Sequence, residues 1–459
     1  MARTADHGKW WVLVSVGIST FMSALDGSVV NTILPVVSHD YGSPVSHVEW
    51  VITVYLLVIS SLLLGFGRFG DMRGHKPVYL TGCLLFIIGS ALCGASPSLH
   101  GLVVFRAMQA VGAAMIYANS PAILTQSFPA SQRGRALGLQ ATMTYLGLSV
   151  GPALGGWLTD LFSWRAVFYI NVPVGILALA FGAHFIPNRG PVPTSSRFDW
   201  HGASAFMIGL VAFLLCLNQG AAWGWRSPLT LLVFALALVM LMTFLAIERA
   251  SPDPMLKLQI FRNRTFSAAS ASAVLNYIAV SGSLFLLPFY LIQGRGLTPA
   301  QVGLTLSVQS LTMALVAPLS GSLSDRIGTR LPAVVGMILL ACGLGLLSRL
   351  GPTTPHGVIL MGLAVLGLGT GIFISPNNSS LMGAAPKEDQ GLAGGILATA
   401  RNVGMVLGVG LTGAVFSSIL SRHPGEDLRL LLPLAVDRSF LMLAGFALLG
   451  CVTSAIRRT

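Results

Sequence analysis

Long apolar runs follow one another along the whole chain, and short polar segments that hold most of the charged residues separate them. Each run reaches the roughly 20 residues that an α-helix needs to cross a bilayer. The alternation over about ten residues that is typical of membrane β-strands does not occur in these runs. The pattern therefore predicts an all-α polytopic membrane protein. Fourteen spans are predicted, near residues 10–33, 48–69, 77–95, 101–126, 136–159, 166–186, 201–219, 228–247, 266–292, 299–322, 332–349, 356–383, 392–420 and 438–456.

Composition supports a membrane protein and excludes several other classes. Of the 459 residues, 54% are hydrophobic and only 9% are charged, against about 25% charged in an ordinary soluble domain. The five cysteines fall inside apolar runs without paired spacing, so the sequence predicts neither disulfides nor a metal site. HExxH and P-loop motifs do not occur, and we therefore expect neither an enzyme nor a bound cofactor.

The distribution of charged residues predicts how the chain is oriented in the membrane. The net charge is +12, but no basic block with interleaved aromatic residues occurs, so nucleic acid is not an expected partner. With fourteen spans both termini lie on one side, and most loop arginines and lysines fall on that side too. The positive-inside rule then predicts a multi-pass protein of the cytoplasmic (inner) membrane with both termini in the cytoplasm. Its basic loops would contact anionic membrane lipid.

One segment repeats. Residues Gly67–Lys76 recur as Gly321–Arg330, each at the cytoplasmic end of a predicted span. The glycine in each turn permits φ > 0, and the acidic and basic residues can form contacts that break when the protein changes conformation. The alternative is a loop whose charges only anchor it in lipid headgroups. The residues of this predicted conformational latch are Gly67, Asp71, Arg73, Gly74, Asp325, Arg326 and Gly328.

The repeat also predicts the domain organisation. The two copies follow the second and the tenth span, eight spans apart, whereas two six-helix halves would place them six spans apart. Two additional helices should therefore separate the halves, and internal repeats of this kind build secondary transporters. The predicted units are an N-terminal six-helix bundle (1–200), an accessory helix pair (201–247) outside the cavity, and a C-terminal six-helix bundle (248–459).

Two charges lie inside predicted spans of the first half. Asp26 is the only carboxylate that the sequence places well inside a span, because Asp40 and Glu49 fall at external ends or loops. A buried carboxylate is costly unless neutral, paired or hydrated, and it suits proton binding and release. Arg106 stays charged and needs a partner or a wet cavity, so a relation with Asp26 is possible. The alternatives are an aspartate that serves packing and an arginine that reaches an interface.

Further residues are candidates for the cavity or for close helix packing. Arg106, Gln109, Ala113 and Tyr117 share one helical face, which should line the cavity. Glycines at i, i+4 and i+8 allow another helix to approach closely, and Pro152 adds a bend. This stripe consists of Gly147, Gly151, Pro152, Gly155 and Gly156. In the later half, the polar residues that would face either the cavity or other helices are Asn276, Tyr277, Gln309, Asn377, Asn378, Arg401 and Asn402.

These motifs resemble those of the major facilitator superfamily, and in particular its fourteen-span drug:proton antiporter group. The loop repeat, the Arg106–Gly112 helix and the Gly147–Gly156 stripe are similar to three superfamily motifs. Residues 25–31, 50–55 and 164–175 resemble group signatures, and we expect Asn31 and Tyr55 within them at the cavity. Ala110 stands where the superfamily's arginine motif usually has a glycine after the glutamine. Thr53 stands where some exporters of cationic drugs have an acid.

The resemblance implies two six-helix bundles that rock about a central site, with proton coupling at Asp26 and Arg106. We therefore expect a monomeric, proton-coupled antiporter that exports amphipathic drugs or related small molecules. The alternative is a dedicated exporter of one endogenous lipid, metabolite or antibiotic. A scaffold is disfavoured because it has no use for an intramembrane charge pair.

Overall fold

The computed structural model describes residues 2–129, 132–188, 199–224, 226–251, 258–386, 390–422 and 428–457. Sixteen α-helices account for most of this part of the chain. The first eight are α1 (Ala2–Asp40), α2 (Val45–Val48), α3 (Trp50–Arg73), α4 (His75–Gly94), α5 (Leu99–Ser127), α6 (Arg133–Leu161), α7 (Ala166–Tyr169) and α8 (Asn171–Phe185). The others are α9 (Trp200–Trp223), α10 (Pro228–Ala250), α11 (Arg264–Phe289), α12 (Pro299–Ile327), α13 (Arg330–Ser348), α14 (His356–Ala384), α15 (Gln390–Arg422) and α16 (Leu428–Ala455).

Membrane-spanning helices dominate the fold, as the apolar pattern predicts. Helices satisfy their backbone hydrogen bonds internally, which the bilayer core requires. Within the described residues, twelve helical segments are long and apolar enough to cross a membrane. Two further long helices are α6, of 29 residues, and α9, of 24 residues, and the Trp200–Cys216 stretch of α9 is apolar but shorter.

Two sets of six helices pack in the same manner. The N-terminal half consists of α1, α3, α4, α5, α6 and α8, and the C-terminal half consists of α11 to α16. In each half the first helix packs against the fifth, the third against the fourth, and the second against the fourth. This correspondence matches the repeat seen in the sequence.

The ends of the helices form two faces. At the Tyr41 face, the Tyr41 hydroxyl donates to the Ser96 carbonyl over 2.9 Å, and Arg165 contacts Asp40 over 3.1 Å. At the opposite face, named here the Gly74 face, α3 and α12 end at glycines with φ of 92° (Gly74) and 84° (Gly328). The sequence predicted positive φ at both turns.

The helices α9 and α10 pack against each other and belong to neither set of six. Helix α9 packs against α3 and α15, one helix from each half, and α10 packs against α9. Phe206 and Phe244 join the pair, with their ring centroids 5.0 Å apart. Large apolar side chains of α10 such as Leu232 and Val239 are more than half exposed, as a lipid-facing helix requires.

Candidate functional site

Asp26 is the centre of a buried polar cluster in the N-terminal half. Its Oδ2 accepts a hydrogen bond from Arg106 over 2.6 Å. Its Oδ1 accepts from the Gln109 amide over 3.0 Å and from the Asn171 amide over 2.8 Å. Helices α1, α5 and α8 therefore meet at one carboxylate.

Arg106 is held by α3 as well as by Asp26. Its Nε donates to the Val51 carbonyl over 3.1 Å, and its guanidinium lies 4.0 Å from the centroid of the Tyr55 ring. The Gln109 side chain accepts from Arg106 over 2.6 Å and donates to the Ser90 hydroxyl of α4 over 2.5 Å. The guanidinium thus joins α1, α3 and α5, and Gln109 extends the cluster to α4.

Burial makes this charge pair energetically sensitive. Asp26 and Arg106 are 0% and 1% exposed, so water does not screen their attraction. Removing one partner from such a buried pair typically costs about 3–5 kcal/mol, because the remaining charge is left uncompensated. A proton on Asp26 would cancel the carboxylate charge and leave Arg106 facing neutral groups, so protonation must change the bonds between these helices.

A separate cavity lies between the two halves. Its polar lining side chains carry amide or hydroxyl groups without formal charge, and its apolar wall includes two methionines. The lining residues are Ser28, Asn31, Leu148, Pro152, Tyr277, Val280, Leu284, Leu306, Gln309, Ser310, Met313, Thr370, Ile374 and Met405. Gln309 is 3% exposed, and its Oε1 has no hydrogen-bond partner.

Some of the polar residues predicted at the cavity line it, and others do not. Asn31, Tyr277 and Gln309 are lining residues. Tyr55 and Gln109 belong to the Asp26 cluster instead, and Arg106 is sealed there rather than facing the cavity. A fully buried guanidinium needs a compensating charge, and the Asp26 carboxylate lies within hydrogen-bonding distance of Arg106.

The remaining predicted residues lie elsewhere. Tyr117 lies beneath Arg401, whose guanidinium is 5.9 Å from the ring centroid. The Asn276 amide contacts the Met337 sulfur over 3.6 Å, and Asn377 accepts from Arg457 over 2.5 Å. Two more, outside the cavity lining, are the buried Asn402 and the half-buried Asn378.

The glycine stripe brings α6 close to α1. A Cβ at Gly147 would lie 3.0 Å from the Leu25 nitrogen, and one at Gly155 would lie 3.1 Å from the Val29 carbonyl oxygen. Gly156 faces α12 instead, where a Cβ would lie 2.8 Å from the Pro299 carbonyl carbon. The stripe therefore serves close packing within the half and, at Gly156, between the halves.

The closest described contacts between the halves lie toward the Tyr41 face. Besides the Gly156 contact, Asp160 of α6 accepts from the Ala300 backbone N–H of α12 over 3.2 Å. The seam between the halves is thus tightly packed at the Tyr41 face.

The loop motif makes contacts within its own half. Asp71 pairs with His75 over 3.4 Å, and His75 also contacts the Asn119 amide oxygen over 2.8 Å. The Arg73 guanidinium lies 6.0 Å from the Phe69 ring centroid. In the second copy Arg326 is exposed, and the Asp325 side chain lies outside the described part of the chain.

Several polar residues of the site do not stand out in the sequence, and one acid is more deeply buried than its sequence position indicates. Asn171, Ser90 and Ser28 are small polar residues that do not stand out among serines and asparagines, although residues 164–175 drew attention as a signature. The sequence places Glu49 at an external end or loop and gives no sign that its side chain is buried. It is 3% exposed at the junction of α2 and α3, so Asp26 is not the only deeply buried carboxylate.

No metal site is formed by the described residues, among which no group of three His, Cys, Asp or Glu side chains converges. The described cysteines are all free.

Two similar six-helix halves around a central cavity define the class of secondary transporters. Residues 16–248 and 269–458 match the Major Facilitator Superfamily, and the chain belongs to that superfamily of transporters, not to an enzyme family. It is 34% identical over 413 residues to the riboflavin transporter RibZ of Clostridioides difficile, covering 90% of this chain and 89% of the relative.

Another transporter and a solved transporter structure are also similar to this chain. The chain is 32% identical over 430 residues to the multidrug resistance protein Stp of Mycobacterium tuberculosis, covering 94% of this chain and 80% of that one. A solved structure of a bacterial homologue of the lysosomal transporter Spinster, inward-facing and unoccupied, superposes with a TM-score of 0.70 at 14% identity. That match covers 98% of this chain and 97% of the other.

Proposed function

We propose that the protein is a proton-coupled antiporter that exports amphipathic small molecules by alternating access. The observation that carries this proposal is the fully buried Asp26–Arg106 pair, which lies beside the cavity but outside its lining. An ionisable residue at membrane depth is costly and marks a functional pathway more often than a structural one.

Helix α1 provides the coupling between proton and substrate. Asp26 faces the polar cluster, whereas Ser28 and Asn31 of the same helix line the cavity. When Asp26 takes up a proton, its ionic contact with Arg106 is lost, and Arg106 keeps its contacts with Val51 and Tyr55 of α3. Helix α1 is then freer to move relative to α5 and α8, which reshapes the cavity.

The two additional long helices support a finer architecture of fourteen spans. With α6 and α9 counted as spans, fourteen helices cross the membrane, and the units are 1–200, the accessory pair 201–247, and 248–459. The basic loops then assign the Gly74 face and both termini to the cytoplasm. The sequence also predicts Trp225 in an interfacial aromatic belt, and this residue lies outside the described part of the chain.

The loop motif acts as the cytoplasmic latch. Here the Tyr41-face seam is closed and Asp71 pairs with His75 of its own half. When the Gly74 face closes, the charges of the two copies exchange these local contacts for contacts between the halves. The glycine stripe supports the same motion, since it keeps α6 against α1 and α12. One chain supplies both walls of the cavity, and the functional unit is a monomer.

The cavity lining favours neutral or singly charged amphiphiles, because amides and hydroxyls bind polar edges while methionines adapt to flat apolar surfaces. Multidrug relatives such as Stp support broad export. The second candidate is transport of one lipid, metabolite or antibiotic. The neutral hydrogen-bonding groups and the similarity to the riboflavin transporter RibZ favour it.

The test is a substrate screen in a host that lacks its own efflux pumps, with and without an uncoupler. Wild-type protein should lower the accumulation of its substrates only while the proton gradient exists. Asp26→Asn should abolish this effect at equal membrane content. Asp40→Asn, which changes a partly exposed carboxylate at the Tyr41 face, should retain it. Export that survives the uncoupler and Asp26→Asn would refute proton coupling at this site.

A further inference from the structure

Glu49 is a buried carboxylate in the seam between the two halves. It lies where α2 meets α3 in the N-terminal half and is 3% exposed. Its Oε2 is sealed from water and has no hydrogen-bond partner. The carboxylate lies over Gly413 of α15 in the C-terminal half, so closely that a Cβ there would collide with Oε2 and lie 3.0 Å from the Glu49 Cδ.

No compensating charge reaches this carboxylate. In the described part of the chain, no ion pair or hydrogen bond joins Glu49 to any charged or titratable side chain of the helices and turns around it. Those groups are Asp26, His39 and Asp40 on α1, His47 on α2, Tyr55 on α3, Arg106 on α5, Arg226 after α9, Arg401 and Arg422 on α15, and Asp437 and Arg438 on α16. Arg401 and Arg422 are twelve and nine residues from Gly413, which places them about 18 and 14 Å away along the helix.

An ionised carboxylate without a partner is unfavourable in such a place. Desolvation of a buried charge costs several kcal/mol unless an opposite charge or hydrogen-bond donors compensate it. The neutral carboxylic acid avoids most of this cost. The closed seam is therefore compatible with Glu49 only in its protonated form, and separation of α3 from α15 would return the side chain to water.

We propose that Glu49 is a second proton-binding site, which takes up one proton from the Tyr41 face each time the halves close there. This site is distinct from Asp26, which keeps three hydrogen-bond donors in the N-terminal half. Protons at the Tyr41 face would favour the closed seam, and their loss would favour the open one. The inference rests on the alternating movement of the proposed function but not on the substrate or the direction of transport.

The experiment measures directly whether the seam at the Tyr41 face is open or closed. Spin labels at Ala95→Cys and Thr353→Cys, two exposed positions on opposite halves of the Tyr41 face, report the open and closed distances by electron–electron resonance in nanodiscs. Cys342 and Cys451 are changed to alanine. In otherwise wild-type protein, the ratio of closed to open populations should fall by up to tenfold for each unit of pH rise, the limit for one proton.

The variants separate Glu49 from other acids. Glu49→Gln should keep the seam closed and remove this pH dependence, and Glu49→Met should do the same if the glutamine variant does not fold. Asp40→Asn should keep the wild-type dependence, because its carboxylate pairs with Trp164 and Arg165 within one half. A pH dependence that persists in both Glu49 variants, or a population ratio that follows sodium instead of pH, would overturn the proposal. The readout needs no transport, so loss of export in Asp26→Asn with an unchanged slope in Glu49→Gln would refute this inference alone.

Discussion

Replacing Gly151 by alanine should impair the protein although it adds only one methyl group. The new Cβ would overlap the Ser28 hydroxyl and lie 3.0 Å from the Ser28 Cβ and 3.1 Å from the Val29 backbone nitrogen. The hydroxyl can rotate, but the Cβ and the backbone can move only if α1 shifts. Overpacking of this kind costs about 1–3 kcal/mol.

This free-energy cost falls on the part of α1 between the Asp26 cluster and the cavity. Ser28 lines the cavity, and Asp26 lies two residues before it. If the strain falls on only one of the two conformations, 1–3 kcal/mol corresponds to an equilibrium shift of about 5- to 150-fold. The expected result is a lower melting temperature in detergent and slower transport in membrane vesicles, with a still larger loss in Gly151→Leu and Gly155→Leu.

A matched control distinguishes packing from a general effect of removing a helical glycine. Gly445 in α16 is exposed, and a Cβ there would meet no atom within 4 Å. Gly445→Ala should therefore leave both melting and transport close to wild type. Equal behaviour of Gly151→Ala and Gly445→Ala would refute the close packing of α6 on α1.

Three further predictions follow from the packing and the burial of other residues. Gln309→Leu should weaken binding of substrates that carry hydrogen-bonding edges, measured by tryptophan quenching, while Gln309→Asn should retain part of the affinity; unchanged binding in both would remove Gln309 from the site. Cysteines at Leu232 and Val239 of α10 should react with a membrane-soluble maleimide without protection by substrate, and substrate-protected labelling by a water-soluble reagent would place α10 at the cavity. Burial lowers the pKa of Arg457 to about 10, so it stays charged at neutral pH. Asn377→Leu, which removes its acceptor, should lower the melting temperature by the equivalent of about 1–3 kcal/mol. Arg457→Met should be neutral or stabilising, and the reverse order would contradict the reasoning.

The helices were predictable where hydropathy is strong, as in the twelve candidate spans of the described residues. The other two predicted segments, 136–159 and 201–219, also lie on helices. Boundaries were less accurate: α16 begins at Leu428, ten residues before the predicted start. Helix α1 extends into the polar N-terminal segment, and hydropathy does not report such an extension. The ten residues before the predicted start of the last span are mostly apolar and belong to the same run.

The charged part of the candidate site was predictable for a physical reason. Asp26 and Arg106 stand alone in apolar runs, and the cost of burying such charges singles them out. Asn171 could not be found this way, since it lies 145 residues from Asp26 in the chain and an uncharged amide is common within helices. The burial of Glu49 could not be predicted, because the residue is close to polar loop residues and only the tertiary structure brings α15 over it.

The most direct test of proton coupling uses purified protein in liposomes that contain a pH-sensitive dye and a substrate identified by the screen. Addition of substrate to wild-type proteoliposomes should produce proton movement opposite to the substrate, and an imposed pH gradient should drive substrate against its concentration gradient. Asp26→Asn should exchange substrate passively without proton movement. If the single substitution prevents folding, Asp26→Asn with Arg106→Gln removes both charges and should behave in the same way. Wild-type proton movement in a folded variant without the Asp26 carboxylate would contradict the account.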